Sequence, residues 1–417
     1  MTTMDRAKPF CIAKREVWEA YKQVKANRGA AGVDGQSIED FDRDLSKNLY
    51  RIWNRMSSGS YFPPPVRRVD IPKGDTGATR PLGIPTVADR IAQMVVKRHL
   101  EPILEPVFHR DSYGYRPGKS AHDALVRARQ RCWAFDWVLD LDIKSFFDEI
   151  DWDLLMRAVR RHTDCPWVLL YLERWLRAPV SMPNGNLVDR ESGTPQGAVV
   201  SPVLANLFLH YAFDLWMQRE YPTIPFERYA DDAICHCASE AQALELRQAL
   251  EQRFTACRLR LHPEKTKIVY CKDANRPGEY PGRSFDFLGY TFRSRTAIGR
   301  NQKRFVSFIP AVSGKAAKRI RLEVRRWRLH LRTDLELDEI ARWTRPFLSG
   351  WVRYYGRFYP SKLREELRTI DAFIVRWVSR KYKRFRGHTL AAWDWLRSLR
   401  RRNPAMFAHW TLGPAAG

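Results

Sequence analysis

Long apolar runs are missing from this 417-residue chain: no stretch of about 18 consecutive apolar residues occurs. Residues 1–10 lack the apolar core of a secretory signal. Neither a membrane span nor an export signal is expected, and the expected location is the cytosol. Cysteine is sparse as well. Cys11, Cys132, Cys165, Cys235, Cys237, Cys257 and Cys271 form no CxxC pair, which argues against a zinc site and against a disulfide framework. Cys235-His236-Cys237 resembles a ligand cluster, but on a strand both thiols face one way and the imidazole the other, so a buried strand is the better reading. Acidic residues are few beside the basic ones: 47 Asp and Glu against 72 Lys and Arg give a net charge of +25. No internal repeat is visible, and the length allows two or three subdomains.

The positive charge is concentrated. Residues 301–417 hold 27 Lys and Arg and 9 Asp and Glu, so +18 of the +25 lies there. Such a surface gains affinity for polynucleotides by releasing counterions from phosphates, and its binding weakens steeply with salt. Seven of the 15 Trp lie in the same segment, and Tyr354, Tyr355, Phe358 and Tyr359 follow Trp351 closely. Stretches 313–332, 335–355 and 361–383 read as three amphipathic helices with Arg and Lys on one face. At that spacing most of the aromatics belong to a helical core, although aromatics interleaved with Arg also stack on bases.

Two adjacent carboxylates stand out upstream, in YADD at residues 229–232. Phe226 to Tyr229 and Ala233 to Cys237 are short apolar or aromatic runs, so Asp231 and Asp232 read as the tip of a hairpin. Paired Asp residues in a turn are often just solvated, and a metal site needs a further carboxylate. The run 137–143 reads as a buried strand with Asp140 and Asp142 on one face. Magnesium takes hard oxygen ligands and keeps several waters, so Asp142, Asp231 and Asp232 suffice for a two-ion nucleotidyl-transfer site. The bare sequence does not separate Asp140 from Asp142. Elsewhere, Lys73 and Arg80 flank two glycines that suggest a hairpin tip, and GTPQG at 193–197 precedes a helix expected over 199–209. Residues 275–283 read as a loop before an FLGY strand at 287–290.

These motifs, in this order, resemble those of reverse transcriptases: Asp142 with Phe147 five residues on, GTPQG continuing into Ser201-Pro202, YADD, and FLGY. AGVDG at 31–35, RPLGIP at 80–85, SYGYRPGKSAHDAL at 112–125 and LHPEKTKI at 261–268 are similar to those of the group II intron-encoded type, the maturases. The resemblance covers nearly the whole chain. It implies an α+β right-hand polymerase with fingers over residues 1–120, a palm with an antiparallel sheet over 121–295 and a helical thumb or maturase domain over 296–417. It also implies that Asp142 and Asp231 bind two Mg2+ ions, or Mn2+, with the backbone carbonyl of Ile143 helping and Asp232 slightly farther out. The choice of Asp142 over Asp140 rests on this match.

The resemblance gives Phe147 the place under the sugar of the incoming deoxynucleotide, where a ring excludes a 2′-hydroxyl; the plain alternative is a core aromatic. Lys73 and Arg80 would clamp the triphosphate, Gln196 would lie near the templating base or nucleotide, and Lys265, with Lys267 as rival, would protonate the leaving pyrophosphate. Arg116, Lys119, Arg325, Arg326, Arg353, Tyr354, Tyr355, Lys381, Lys383 and Arg384 are the expected nucleic-acid contacts. Implied partners are intron RNA, template-primer RNA/DNA, dNTPs and target DNA, in a bacterial, nucleoid-associated setting. The sequence shows none of the Cys pairs of an HNH endonuclease, so the expectation is the endonuclease-lacking type, priming on nicks or fork ends. A host-adopted enzyme for repair or defence, and an RNA chaperone with a vestigial polymerase site, are the alternative readings.

Overall fold

The computed structural model describes residues 8–72, 79–299 and 301–412. Helices and sheets mix throughout, and the chain divides into two compact units, one of Met1–Ala124 with Leu139–Thr266, the other of Leu125–Val138 with Lys267–Gly417. Among the described residues no helix is long and apolar enough to cross a membrane.

In the first unit, strands β1 (Val66–Pro72) and β2 (Thr79–Ile84) run antiparallel, with Ile71 opposite Arg80. Strand β3 (Trp137–Leu141) belongs to another sheet, while β4 (Val180–Ser181) and β5 (Leu187–Val188) extend the first in the order β2-β1-β4-β5. Strands β6 (Phe226–Tyr229) and β7 (Asp232–Cys237) form the expected hairpin, and β7 lies beside β3.

Two helices carry the core beneath these sheets. Val87–Leu104 starts at an N-cap, Thr86, whose side chain accepts from the Asp89 amide, an interaction worth about 1 kcal/mol. Its first half is enclosed on nearly every side, with Asp89, Arg90 and Gln93 buried among Val87, Ile91, Ala92 and Val95. Ser201–Leu209 is buried at every position but Pro202, then widens into a π-helical turn at His210–Asp214 before Leu215–Glu220. β7 is buried at every residue after Asp232: Cys235, His236 and Cys237 are each fully enclosed, because both faces of the strand are covered. His236 is tolerated there because its Nε2 lies 2.6 Å from Glu227 Oε2.

In the second unit, β8 (Lys267–Tyr270) precedes a meander of β9 (Ser284–Phe287), β10 (Tyr290–Ile298) and β11 (Arg304–Val312) in the order β11-β10-β9. FLGY is therefore not a strand. Leu288 and Gly289 have φ of 50° and 78° and form the tight turn between β9 and β10, the left-handed pair that two-residue hairpins favour.

The three helices expected downstream are present as Gly314–Arg326, Leu337–Tyr355 and Pro360–Lys381. The first stops earlier than its pattern suggests, at a left-handed Arg328 (φ 48°) followed by a short 3-10 turn. A fourth helix, Thr389–Arg402, completes a core that includes Ile320, Leu348, Leu367, Ile370 and Trp377.

Candidate active site

The β6–β7 turn is built to aim its carboxylates. Ala230 sits at φ 57°, a left-handed conformation that L-residues adopt only when held there. What holds it is Arg228, 1% exposed. Its Nε and Nη2 donate to both oxygens of the buried Asp214 at 2.7 and 2.6 Å, and its Nη1 donates to Asn206 Oδ1 and to the Ala230 carbonyl at 3.0 Å each. The π-helical turn places Asp214 at this pairing.

Asp142 lies one residue beyond β3. Its carbonyl accepts from the His262 amide at 2.8 Å, and Ile143 bridges Leu261 in antiparallel fashion. Asp142, Asp231 and Asp232 thereby line one cavity of about 870 Å³, together with Ile143, Arg80, Phe147, Gln196 and Lys265. Asp140 does not line it, so the structure separates the two aspartates that the sequence left together. Both phenylalanines line the cavity and differ in burial: Phe146 is 2% exposed and packs near Phe208, whereas Phe147 is half-buried.

Gln196 and Gly197 of GTPQG line the same cavity, and the rest of the motif ties this loop to the segment that carries Phe147. Gly193 (φ 79°) passes so close to residues 147 and 148 that a Cβ would lie 2.6 Å from the Phe147 carbonyl oxygen. The Gly193 and Thr194 amides donate to the Ile150 and Phe147 carbonyls, and the Gly83 amide donates to the Gln196 carbonyl, all at 2.7 Å. Gln93 accepts from the Val199 amide at 2.8 Å and donates to Asp89, which also takes hydrogen bonds from Tyr61 and Trp175. Burial pushes Asp89 up to about 6 against those three donors.

The cleft's electrostatics follow from its carboxylates. Burial among the cleft walls raises Asp231, and burial followed by the Asp231 and Asp142 charges pushes Asp232 up to about 6. The Asp232 side chain is nevertheless open to solvent, so water and cations reach it and soften that shift. Lys265 Nζ lies 3.5 Å from Asp142 Oδ2. Among the described residues no group of three or more His, Cys, Asp or Glu is closed around a single metal position, and Asp142 is engaged by the lysine instead. The donor chemistry still fits a hard divalent cation: three carboxylates in one solvent-reached cleft, two of them disfavoured as neighbouring anions.

The remaining expected residues differ in exposure and in partners. Lys73 lies outside the described residues. Arg325, Arg326, Arg353, Lys383 and Arg384 are exposed. Arg116, Lys381 and Tyr354 are committed to the fold. Arg116 is 9% exposed and bonds the Glu105 carboxylate and the Glu105, His109 and Ser112 carbonyls, which occupies its donors. The guanidinium acts as a loop clamp in this structure. Lys381 Nζ donates to the Leu335 carbonyl and to Glu336, and Tyr354 donates to the Leu288 carbonyl at the FLGY turn. Tyr355 packs with its hydroxyl against Gly289, and half-buried Lys119 donates to the Arg110 carbonyl.

Sequence reasoning missed the Arg228–Asp214–Asn206 support and Tyr115, which also lines the cavity. An Arg directly before YADD was the available signal for the first, and two aromatics around Gly114 for the second.

A cleft of three aspartates beneath a strand–turn–strand, lined by part of a glycine-bounded loop and walled by a phenylalanine and an arginine, defines a polynucleotide polymerase. The family profile "Reverse transcriptase (RNA-dependent DNA polymerase)" matches residues 71–292, more than half of the chain, and "Group II intron, maturase-specific domain" matches residues 317–393. Protein YkfC of Escherichia coli (strain K12) is 32% identical over 336 residues, 70% of this chain and 84% of that protein. Group II intron-encoded protein LtrA of Lactococcus lactis subsp. cremoris is 35% identical over 193 residues, 46% of this chain and 32% of LtrA. The chain belongs to the reverse transcriptases, and within them to the group II intron type with a maturase-specific domain.

Proposed function

We propose that this protein copies a group II intron RNA into DNA in a magnesium-dependent reaction, and that its maturase-specific domain grips the same RNA and assists its splicing. The observation that carries the reading is the convergence of Asp142, Asp231 and Asp232 with Arg80, Phe147, Gln196 and Lys265 on one cleft. In this reading the parts follow a right hand: fingers over residues 1–120, palm over 121–295, thumb over 296–417. Asp142 and Asp231, with the Ile143 carbonyl, hold two Mg2+ ions, for which Mn2+ can substitute, and Asp232 stands farther out. When bound, such ions acidify an attacking 3′-hydroxyl and offset charge on the leaving pyrophosphate.

The chain's own residues supply the rest. Arg80, with Lys73, holds the dNTP triphosphate; a guanidinium fork and an ammonium suit phosphate oxygens. Phe147 excludes a ribose 2′-hydroxyl, and Gln196 lies beside the templating base. Lys265, paired with Asp142 before substrate arrives, protonates the pyrophosphate. The exposed Arg325, Arg326, Arg353, Lys383 and Arg384 hold template-primer and intron RNA through their phosphates.

The test is primer extension on an RNA template with dNTPs and magnesium, run beside a splicing assay on the intron RNA. Asp231→Asn is expected to lower extension by at least about a thousandfold, roughly 4 kcal/mol of barrier, and to leave RNA affinity within about twofold. Extension by the variant above about 1% of wild type, a barrier change of less than roughly 3 kcal/mol, would remove Asp231 from the metal site. Equal loss of extension and splicing would contradict the division of labour.

A further inference from the structure

The segment from Asp111 to Arg116 is buried at every position but one. Asp111, Ser112, Tyr113 and Arg116 are each under 10% exposed, and Gly114 is buried, yet Tyr115 between them is 57% exposed. Tyr115 also holds a left-handed backbone, φ 56°, which is strained for an L-residue without a local polar side chain. Strain of this kind persists only where the surroundings over-determine it, and it concentrates at functional sites.

The surroundings here are the catalytic turn itself. The Arg228 carbonyl on β6 accepts from the Tyr113 amide at 2.8 Å, and the Arg228 amide donates to the Asp111 carbonyl at 3.0 Å. Asn206, already bonded to the Arg228 guanidinium, donates to the Gly114 carbonyl at 2.7 Å. Gly114 lies so near the turn that a Cβ would stand 2.3 Å from the Ala230 nitrogen. The loop therefore has a fixed position relative to Asp231. What this delivers is one aromatic ring lining the cavity, its centroid 6.4 Å from that of Tyr229.

We propose that Tyr115 is a primer-contacting residue, its ring seating the 3′-terminal nucleotide of the primer so that the 3′-hydroxyl is presented beside Asp231. The proposal rests on the polymerase reading above and adds to it the occupant of this wall. Phe147 serves the sugar of the incoming nucleotide, and the reacting 3′-hydroxyl must reach the aspartates from the other reactant. Tyr115, on the loop fastened to the turn, pairs with Tyr229 at the start of that turn, and a π-face accepts any terminal base, as a copying enzyme requires.

The experiment uses the full chain with an RNA template and a DNA primer ending in 2-aminopurine, first without metal or dNTP and then in extension. Wild type and Tyr115→Phe should change the 2-aminopurine fluorescence on binding; Tyr115→Ala should not. In extension, Tyr115→Ala should lower kcat about tenfold with the KM for dNTP within twofold, and Tyr115→Phe should restore most of the loss. Tyr115→Gly relieves the left-handed strain, so it should melt a few degrees higher than wild type while extending as poorly as the Ala variant. A raised dNTP KM with unchanged kcat would place the ring against the nucleotide and overturn the proposal, as would wild-type fluorescence in Tyr115→Ala. Should wild type fail to extend at all, the polymerase reading falls, while the metal-free fluorescence arm still decides whether Tyr115 meets a primer end.

Discussion

Arg228 in the first unit and Arg325 in the second carry the same guanidinium, and the fold treats them in opposite ways. Arg228 is 1% exposed, with its donors fixed on Asp214, Asn206 and the Ala230 carbonyl. Arg325 is exposed on the helix Gly314–Arg326, as are Arg326 beside it and Arg353 on the helix Leu337–Tyr355. One arginine sets the position of a backbone turn, and the others contribute to a field. Chemistry at a phosphodiester depends on placement within fractions of an ångström. Holding a long RNA depends on the number of phosphates neutralised, and tolerates motion.

The comparison breaks first at the buried pair. Removing one member of a buried ion pair leaves the other charge uncompensated, at a cost of about 3–5 kcal/mol. Arg228→Met and Asp214→Leu are each expected to lower stability by that much in urea unfolding of the full chain. The double variant should lose clearly less than the sum, because the pair shares one interaction. Additive losses would show that Arg228 and Asp214 act separately.

Asp89 tests the same unit through pH. Its folded value is raised to about 6 by burial, above an unfolded value near 3.9, so between those pH values the folded state keeps a proton that the unfolded chain has lost. The stability it contributes is full below about pH 4 and is lost as pH rises through about 6, by up to roughly 3 kcal/mol. Asp89→Asn cannot ionise. Its stability relative to wild type should improve from about pH 4.5 to about pH 7.5 in urea titrations; a gap independent of pH would mean that the three hydrogen bonds keep the carboxylate ionised throughout.

Phe147→Ala probes placement inside the cleft. Removing the ring should raise ribonucleotide incorporation relative to deoxynucleotide by about tenfold to a hundredfold, roughly 1.4–2.7 kcal/mol of discrimination. Unchanged sugar selectivity in single-nucleotide insertion would return Phe147 to the hydrophobic core.

Much of this was legible in the sequence, for local reasons. The β6–β7 hairpin, the helix after GTPQG and the three basic helices announce themselves through short-range periodicity and turn residues. Asp231 and Asp232 stood out as an adjacent pair at a hairpin turn, whereas the choice of Asp142 over Asp140 came from the family resemblance and not from the residues alone. What failed to show was side-chain commitment to partners that no periodic pattern points to. Arg116 looks like any loop arginine until Glu105 and the carbonyls of His109 and Ser112 are seen around it. Tyr354 belongs to an aromatic run, yet its hydroxyl is bound 66 residues away at Leu288. FLGY is expected as a strand, and the positive φ of Leu288 and Gly289 makes its centre a turn. The aromatics of the basic segment divided in a way no pattern predicts: Trp327 and Trp377 are buried, whereas Trp343 and Phe347 are 40% and 42% exposed.

The smallest effect per substitution belongs to the surface field, and salt reveals it. Each phosphate that is no longer neutralised should reduce the slope of log affinity against log salt, by about 0.7 on a single strand and by about 0.9 on a duplex. Arg325→Gln, Arg326→Gln and Arg353→Gln are each expected to lower RNA affinity only a few-fold at moderate salt, with the slope falling stepwise as they are combined. They should leave the melting temperature within about 1 °C, since exposed charges contribute little to folding. Asp231→Asn, in the cleft, should leave the slope unchanged. If the triple variant keeps the wild-type slope, these arginines do not meet phosphate, and the field that holds the RNA must come from other parts of the +18 segment.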